Sequence, residues 1–355
     1  MSPASLAGLR VAVTGASGYI GASLVPYLCA RGASVVAVTR RPIDWPAAVD
    51  AVVGDVSSPA VARALVSSAD TVIHLAGVTA LRAVDDDPRA SLDGTVMPLV
   101  HLAAAAATRG RRPRVILASS ATVYGLTPAL PVDETCAPKP ITAYDQHKWW
   151  AEQQLEFACR AGVLDAIVLR LSNVYGPSPA PNVDGRGFMN RAAASALAGR
   201  GLIQFGDGAC LRDFVHLHDV QAAFAAALSA QHRGCACYNV GSGRGTTIGD
   251  ALVAVASAAA RITGRRVPIE QAPWPDTAHP IDRRSFVAAN ARIASALGWR
   301  PSMTLDEGIR TLMVPRARQE HSTEPLKVNL GCGGRPLSGY VNVDMDSLAS
   351  IHARY

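Results

Sequence analysis

Lysine, aromatic residues and cysteine are all scarce in this sequence of 355 residues, and each shortage narrows the possible functions. Only three of the 34 basic residues are lysines, so the net charge of +6 comes from scattered arginines. Aromatic side chains make up 5% of the chain and do not interleave with the arginines, which argues against a dedicated nucleic-acid-binding protein. The seven cysteines are an odd number and widely spread, which excludes a disulfide framework and favours a reducing compartment.

Targeting and membrane signals are also missing. The first eight residues lack a basic start followed by an apolar stretch, so no signal peptide is predicted. The longest apolar stretches, near 99–107 and 251–260, are too short to cross a bilayer. We therefore expect a cytoplasmic protein with neither a membrane nor a nucleic acid as partner. No ordered set of four ligands surrounds His216 and His218, so no metal is expected.

Apolar residues are abundant, at 49% of the chain, and they occur as short β-branched runs that alternate with alanine-rich helical segments. The pattern predicts strands near 9–13, 34–39, 51–53, 71–75, 114–119 and 166–171, and helices near 19–30, 59–67, 88–108 and 144–161. Strands that are apolar along their whole length are typical of a parallel sheet covered on both faces. The predicted fold is therefore α/β, a Rossmann doubly wound parallel sheet with a smaller α/β substrate-binding domain.

The domain organisation follows from a change of texture after residue 173. Residues 1–176 are predicted to form the dinucleotide-binding domain, and 177–318 mainly the substrate-binding domain. Within the latter, about 212–245 is expected to return to the sheet, because 238–240 has the composition of a further strand. A linker at 319–326 then leads to a distinct segment, 327–355.

A glycine-rich loop, Thr14-Gly-Ala-Ser-Gly-Tyr-Ile-Gly21, follows the first predicted strand and opens the first predicted helix. Gly15 permits the tight turn, Gly18 lets the backbone approach a pyrophosphate, and Gly21 allows close packing of helix and strand. The N-terminus of the helix supplies N–H groups and positive dipole. The strand–loop–helix context favours a dinucleotide site over a mere tight turn.

The end of the second strand bears on the choice of cofactor. An acidic residue there would bind the 2′-hydroxyl of NAD, but the sequence has Thr39, Arg40 and Arg41. Two guanidinium groups suit the 2′-phosphate of NADP, although both could simply be solvated at the surface. Asp55 is placed to meet the adenine, and the stretch 75–77 (Leu75, Ala76 and Gly77) is expected under the pyrophosphate and ribose.

Tyr144 and Lys148 stand four residues apart on a predicted helix and so share one face. A phenol is a poor base at neutral pH, because its ordinary pKa is near 10, but a neighbouring ammonium group favours the phenolate. Ser120, at the end of the fifth strand, can hydrogen-bond the same substrate oxygen. These three residues are the predicted catalytic group.

The chain resembles an extended short-chain dehydrogenase/reductase of the NAD-dependent epimerase/dehydratase family, whose members act on nucleotide sugars. The resemblance covers about 310 residues. The matching segments, in family order, are 14–21, 54–55, 119–125, 144–148, 170–177, 205–208, 212–216, 238–241 and 297–299.

The resemblance implies a role for each matching position. Ser120, Tyr144 and Lys148 would be catalytic. The cofactor would contact Gly15, Ser17, Gly18, Tyr19, Ile20, Gly21, Thr39, Arg40, Arg41, Asp55, Val56, Leu75, Ala76, Gly77, Ser119, Tyr144, Lys148, Leu171 and Val174. The substrate would contact Thr79, Ser120, Thr122, Asn173, Phe188, Gln204, Arg212, Ile248 and Asp282. Arg212 suits a phosphate, but it could instead be a structural partner of Asp213 or Asp219. A homodimer through the helices near 88–108 and 144–161 is also expected.

Several departures from the family pattern bear on the reaction. Dehydratases of the family carry an acidic pair after the catalytic hydroxyl, where this chain has Ala121 and Thr122. Ser91 replaces an asparagine, His147 a serine and His279 an arginine. The expected activity is 4-epimerisation of a UDP-sugar through a transient 4-keto intermediate with bound NAD(P). An NADPH-dependent nucleotide-sugar 4-ketoreductase is the alternative, and a dehydratase or a catalytically silent cofactor-binding protein fits less well.

The segment 327–355 contains a glycine loop between two short apolar runs and resembles the opening of class I S-adenosylmethionine-dependent methyltransferases. The match covers about 28 residues and lacks the rest of such a sheet, so it cannot bury a core alone. We therefore expect no methyltransferase activity from it.

Overall fold

A computed structural model describes residues 5–110, 112–127, 129–179, 187–321, 328–330 and 341–343, with side chains up to Met313. The chain divides into two compact units, residues 1–313 and 314–355. The first unit contains both regions that the sequence assigns to cofactor and substrate binding.

Seven parallel strands form the central sheet of the first unit. They are β1 (Arg10–Thr14), β2 (Ser34–Thr39), β3 (Val49–Val53), β4 (Thr71–His74), β5 (Arg114–Ser120), β6 (Asp165–Leu171) and, later in the chain, β10 (Cys235–Val240). Their order across the sheet is β10-β6-β5-β4-β1-β2-β3. This is the doubly wound Rossmann arrangement with one additional strand, which confirms the predicted fold class. The predicted return of the chain to the sheet takes place at β10.

Helices cover both faces of the sheet, as continuously apolar strands require. One face packs against α1 (Gly21–Cys29), α8 (Leu217–Ser229) and α10 (Ala291–Leu297), and the other against α2 (Pro59–Ser68), α5 (Met97–Arg109) and α6 (Ala143–Arg160). Two short helices, α3 (Leu81–Asp86) and α4 (Pro88–Thr95), precede α5. The resulting pair of buried clusters fixes the sheet from which the candidate site is built.

The long helix predicted over 88–108 is wrong in one respect, because α4 and α5 are separate helices that meet at Val96. Pro98 explains the break: it has no N–H to donate, and its ring disfavours a helical carbonyl one turn earlier. By length and composition alone, 88–109 is long and apolar enough to cross a membrane. Leu99 and Leu102 are nevertheless buried against the sheet, as in the core helix of a globular domain.

The remaining strands of the first unit form two small sheets. One contains β7 (Asn173–Tyr175), β9 (Leu211–His216) and β11 (Gly245–Thr247), and the other β8 (Leu202–Phe205) and β12 (Ile269–Ala272). The helices α7 (Phe188–Leu197) and α9 (Ile248–Thr263) pack with them. A short 3-10 helix, Pro280–Arg283, leads back toward the central sheet.

The C-terminal end of the chain begins with α11 (Leu305–His321), so the first residues of the predicted linker 319–326 are helical. Farther on, β13 (Val328–Leu330) and β14 (Val341–Val343) pair in parallel. The other residues of the predicted segment 327–355 lie outside the described residues.

Candidate active site

The candidate site lies at the carboxyl ends of β1, β4 and β5. The strand order reverses between β1 and β4, and ligands of open α/β sheets bind in the crevice at such a switch point. The predicted cofactor loop and catalytic residues follow these strands directly.

The glycine loop has the shape that a dinucleotide requires. Gly15 has a φ of +66°, and a Cβ there would lie 2.8 Å from the backbone nitrogen of Ala76. A Cβ on Gly21 would lie 2.8 Å from the Cα of Ala16, so the helix packs directly on the loop. Among the described residues, no side chain caps the N-terminus of α1; the backbone nitrogens of Ala22 and Ser23 bond the carbonyl oxygens of Gly18 and Ile20 instead. These features fit a bound pyrophosphate.

The strand ends beneath this loop are held by a buried polar pair. Thr14 Oγ1 lies 2.8 Å from His74 Nδ1 and accepts a hydrogen bond from the backbone nitrogen of Ala76 at 3.3 Å. Complete burial lowers the pKa of His74 to about 3, and the nearby charge of Lys148 contributes to this shift. His74 is therefore neutral at physiological pH, and its hydrogen bond to Thr14 joins the ends of β4 and β1.

Tyr19 joins the cofactor loop to the substrate-binding region. Its hydroxyl donates to the carbonyl oxygen of Gly176 at 2.8 Å and accepts from Asn190 Nδ2 at 3.2 Å. Asn190 is buried on α7 and also bonds the backbone of Gly176. The predicted cofactor residues Ser17 and Ile20, on either side of Gly18 and Tyr19, lie on the same loop; Ser17 is exposed.

The residues predicted to select the cofactor lie together at the ends of β2 and β3. Thr39 is buried and donates to the carbonyl oxygen of Arg41 at 2.7 Å, which orders the turn that carries both arginines. Arg40 and Arg41 are exposed. Hydrogen bonds from Ser57 lower the pKa of Asp55, and the charge of Arg40 adds to this effect. Arg40 therefore faces the edge of the predicted adenine site.

The helix that carries the predicted catalytic pair begins with a capping box, in which Thr142 and Asp145 bond each other's backbone nitrogen. This cap fixes the first turn, where Tyr144 lies, and places Lys148 one turn later. Lys148 Nζ lies 6.0 Å from the centre of the Tyr144 ring and donates to the carbonyl oxygen of Ala118 at 2.8 Å. Burial lowers the pKa of Lys148 to about 8, against a weaker opposing effect of Glu152.

Ser120 ends β5 and directly precedes a short 3-10 helix, Ala121–Tyr124. Its Oγ is 2.8 Å from Thr122 Oγ1. Ser120 is also close enough to Tyr144 to lower the pKa of the phenol. Removal from water raises the pKa of Tyr144 to about 12, whereas Ser120 and the cation of Arg284 favour the phenolate and Asp145 opposes it. The structure thus brings Ser120, Thr122, Tyr144 and Lys148 together as the sequence predicts.

Ser119 is the predicted cofactor residue with the most constrained side chain. Its hydroxyl donates to Glu152, which pairs with Arg170 at 2.6 Å. All three side chains are buried, and the Arg170 guanidinium lies 4.7 Å from the ring centre of Tyr124. This network anchors α6 to β5 and β6 behind the catalytic residues.

Two positions that depart from the family pattern contact each other. His147 Nδ1 lies 2.9 Å from Ser91 Oγ, and both side chains are buried. The third departure, His279, places Nε2 3.0 Å from Asp85 Oδ2, and Arg82 donates to Thr277 at 2.6 Å. Helix α3 is thereby tied to the loop that leads into 280–283.

Arg212 is not the structural partner of Asp213 or Asp219. Its terminal nitrogens donate to backbone carbonyl oxygens of Leu211, Asp282 and Arg284. Asp213 instead accepts from backbone nitrogens of 242, 243 and 288, and Asp219 from those of 302 and 303. The guanidinium of Arg212 therefore holds the 282–284 backbone beside the site.

The other predicted substrate residues lie on several different elements of the first unit. Asn173 Oδ1 is buried without a hydrogen-bond partner among the described residues, as expected of a group that awaits a ligand. Phe188 stacks on Phe214 with ring centres 6.0 Å apart. The side chain of Gln204 lies against Gly208 and Gly249, next to Ile248. Thr79 is exposed in the loop after β4.

A cavity of about 390 Å³ adjoins Asp282 and is lined by Leu126, Ala278, Pro280 and Arg283. Asp282 itself accepts a hydrogen bond from the backbone nitrogen of His279. Of the predicted apolar cofactor contacts, Val56 and Leu75 follow β3 and β4, Leu171 ends β6, and Val174 is the central residue of β7. Within the described ranges, no group of three metal-ligating side chains occurs.

The family can be decided by comparison. Residues 11–241 match the family model described as NAD dependent epimerase/dehydratase family. The chain belongs to this family. A UDP-glucose 4-epimerase of Mycolicibacterium smegmatis is 31% identical over 314 residues, which are 85% of this chain and 96% of the relative. The match to the family model ends well before 327–355, and the methyltransferase resemblance of that segment receives no support.

Solved structures agree with the family and the fold. MoeE5 in complex with UDP-glucose and NAD has a TM-score of 0.76 and 32% identity, covering 88% of this chain and all of MoeE5. RMD from Pseudomonas aeruginosa, complexed with NADPH, has a TM-score of 0.70 and 27% identity over 86% of this chain and 98% of RMD. Members of this chain's structural class thus bind either nicotinamide dinucleotide.

Sequence reasoning missed Arg284, which is 7% exposed and lies at the end of the 3-10 helix 280–283. It donates to the carbonyl oxygen of Ala121 at 3.0 Å. The only local signal is the doublet Arg283-Arg284 after Asp282, and nothing in it indicates that the first arginine is exposed and the second buried.

Proposed function

We propose that this enzyme interconverts UDP-sugars that differ in configuration at C4, using a bound nicotinamide dinucleotide that is regenerated in each cycle. The observation that carries the proposal is the pair Tyr144 and Lys148, whose ring centre and Nζ lie 6.0 Å apart, with Ser120 close to the phenol. The pair lies beside a glycine loop that fits a pyrophosphate. The similarity to UDP-glucose 4-epimerases supports the same activity.

The chain's own residues supply proton transfer and orientation. Tyr144 accepts the proton of the C4 hydroxyl, and Ser120 hydrogen-bonds the oxygen as it becomes a carbonyl. Lys148 favours the phenolate through its charge and is held in place by Ala118. The glycine loop 14–21 would hold the dinucleotide, which would supply reversible hydride transfer at C4 of the sugar. Tyr144 then gives the proton back.

The substrate would lie across the two halves of the first unit. Asn173 and Arg212 are suited to the diphosphate, because the amide nitrogen of one can donate to a phosphate oxygen and the other offers a buried cation. Phe188, Gln204, Ile248 and Asp282 surround the proposed nucleotide pocket. Ala121 and Thr122 offer no acid for elimination of water, which argues against a dehydratase.

A second candidate, an NADPH-dependent nucleotide-sugar 4-ketoreductase, is favoured by one observation. Arg40 and Arg41 extend from a buried, ordered turn at the edge of the proposed adenine site, as a 2′-phosphate would require. The relative named GDP-6-deoxy-D-mannose reductase is 28% identical over 313 residues. We accordingly propose NADP as the preferred dinucleotide, with NAD as the other outcome.

We also propose a homodimer formed through helices α4, α5 and α6. Trp150 and Phe157 stand seven residues apart on one face of α6 and are 44% and 63% exposed. Exposed aromatic groups on one helix face are typical of a subunit interface. Sedimentation velocity of the protein and of the W150E/F157E variant tests this, since a monomeric wild type would contradict it.

The proposed reaction is tested by incubating the purified enzyme with UDP-glucose or UDP-galactose and a trace of NAD+ or NADP+. An epimerase converts either sugar into the same equilibrium mixture, observed by proton NMR, without net formation of reduced cofactor. A reductase would leave both sugars unchanged and would consume NADPH in proportion to an added 4-keto sugar. The Tyr144→Phe variant is the control for contaminating activity.

A further inference from the structure

Arg284 is a buried cation without an ion-pair partner among the described residues. Its guanidinium donates to the carbonyl oxygen of Ala121 and lies 5.0 Å from the ring centre of Phe286. No carboxylate oxygen of the described chain comes within ion-pair distance of it. A buried charge of this kind is costly, and a fold retains one where the charge serves a purpose.

Arg212 holds the backbone segment that carries Arg284. Arg212 donates to the backbone carbonyl oxygens of Asp282 and Arg284, so the segment cannot move away. Ala121 directly follows Ser120, so the hydrogen bond from Arg284 joins this segment to the turn that carries the catalytic serine. The guanidinium therefore lies beside the turn that follows Ser120, and its charge favours the phenolate of Tyr144.

We propose that Arg284, from its place beside Ala121, is a positioning residue that stabilises the phenolate of Tyr144. This inference rests on the proposed function, since it assigns Tyr144 the role of base. The charged groups around the phenol are Lys148 and Asp145 on its own helix and Arg284 from the 280–284 segment; Ser120 on β5 also favours the phenolate. Burial and the neighbouring charge of Arg212 lower the pKa of Arg284 to about 10, and Asp282 opposes this shift. Arg284 therefore stays charged at neutral pH.

The test compares Arg284→Met, which removes the charge and keeps the stem, with Arg284→Lys, which keeps the charge. The pH dependence of kcat/KM is measured with cofactor-loaded enzyme. We expect the acid limb of Arg284→Met to move up by about one pH unit, as for loss of a nearby opposite charge. KM should remain unchanged, and Arg284→Lys should restore most of the wild-type profile.

A matched control is Arg292→Met, because Arg292 is also an arginine over an aromatic ring, at 5.8 Å from that of Tyr238, but is exposed on α10. This variant should leave the profile unchanged. An ultraviolet difference titration of tyrosinate, relative to Tyr144→Phe, gives the phenol pKa without turnover and should show the same upward shift in Arg284→Met.

Three outcomes separate the possibilities. An active wild type whose acid limb and tyrosinate titration do not respond to Arg284→Met would overturn the inference while leaving the proposed function intact. A higher KM with an unmoved limb would also overturn it, since Arg284 would then bind the substrate anion. An inactive wild type would instead contradict the proposed function, while the tyrosinate titration would still report on Arg284.

Discussion

The ammonium nitrogen of Lys148 lies 2.8 Å from the carbonyl oxygen of Ala118, two residues before Ser120, the proposed catalytic serine, on β5. This bond ties the catalytic helix to the strand that presents Ser120. Because Lys148 is buried, its charge is held close to Tyr144 without competition from water. The geometry makes the charge state of Lys148 a control on the reaction.

The pH dependence of activity should therefore change where Lys148 loses its charge. Burial lowers the pKa of Lys148 to about 8, so the ammonium is intact below pH 8 and loses its proton above it. We expect kcat to rise with pH up to about 8, as the phenolate of Tyr144 forms, and to stop rising above it; the Lys148→Met variant should lose activity by about 10²-fold or more below pH 8. Steady-state kinetics from pH 6 to 10 check this; a wild-type rate that is level across the range would contradict it.

Replacement of the tyrosine removes the proton acceptor itself. Tyr144→Phe should lower kcat by about 10² to 10⁴-fold, because general acid–base catalysis contributes effects of that size. Binding of the dinucleotide should persist, since the glycine loop is untouched. Isothermal titration with NAD+ and NADP+ provides that control, and normal turnover by the Tyr144→Phe variant would exclude Tyr144 as the base.

Gly15 should not tolerate a methyl group, because the added carbon would collide with the backbone of a neighbouring strand end. Gly162 serves as a control with a similar backbone conformation but no such neighbour. In Gly15→Ala the added Cβ would meet the backbone of Ala76 at 2.8 Å, so the loop must shift and dinucleotide affinity should fall about tenfold or more. Gly162 has a similar φ of +71° but open space around it. Gly162→Ala should lose about 1 kcal/mol of stability from the left-handed backbone and keep its affinity. Equal losses of dinucleotide affinity in Gly15→Ala and Gly162→Ala would contradict the proposed role of the glycine loop.

The arginines after Thr39 should determine the preference between dinucleotides. In the Arg40→Ala/Arg41→Ala variant, affinity for NADP+ should fall about tenfold, because a charge-assisted hydrogen bond to phosphate contributes about 1.5 to 3 kcal/mol. Affinity for NAD+ should be unchanged. Parallel titrations with both cofactors measure this, and an equal response of the two would show that the arginines are solvated surface.

The buried imidazole of His74 predicts how stability depends on pH. Its pKa is lowered from 6.5 to about 3, so between these values the unfolded chain binds a proton that the folded chain does not. The free energy of unfolding should therefore fall as pH is lowered from 6.5, by up to about 1.4 kcal/mol per unit. Denaturation of His74→Gln should show a shallower slope. An unchanged slope in His74→Gln would contradict the burial argument.

Local patterns in the sequence predict much of this protein. Strand 34–39 has the predicted bounds, and the catalytic helix differs by one residue at each end, because apolar periodicity and the capping residue Thr142 are local signals. The glycine loop is likewise a contiguous motif, and the structure gives it the predicted shape.

What the sequence does not predict depends on contacts between distant residues. Nothing near Arg284 indicates that Ala121, more than 160 positions away, accepts its hydrogen bond. The same holds for the bonds of Tyr19 to Gly176 and Asn190. The separation of α4 from α5 at Val96 is hidden by alanine-rich periodicity, although Pro98 marks the place.

The central claim is that one sugar molecule gives up a hydride from C4 and receives it back. The most direct measurement uses UDP-glucose carrying deuterium at C4, incubated with the enzyme in ordinary water and followed by NMR and mass spectrometry. If the enzyme epimerises at C4 by returning the same hydride, the product is UDP-galactose that retains the deuterium at C4, and only a catalytic amount of dinucleotide is needed. Loss of the label to solvent, or product formed only in proportion to reduced dinucleotide consumed, would contradict it.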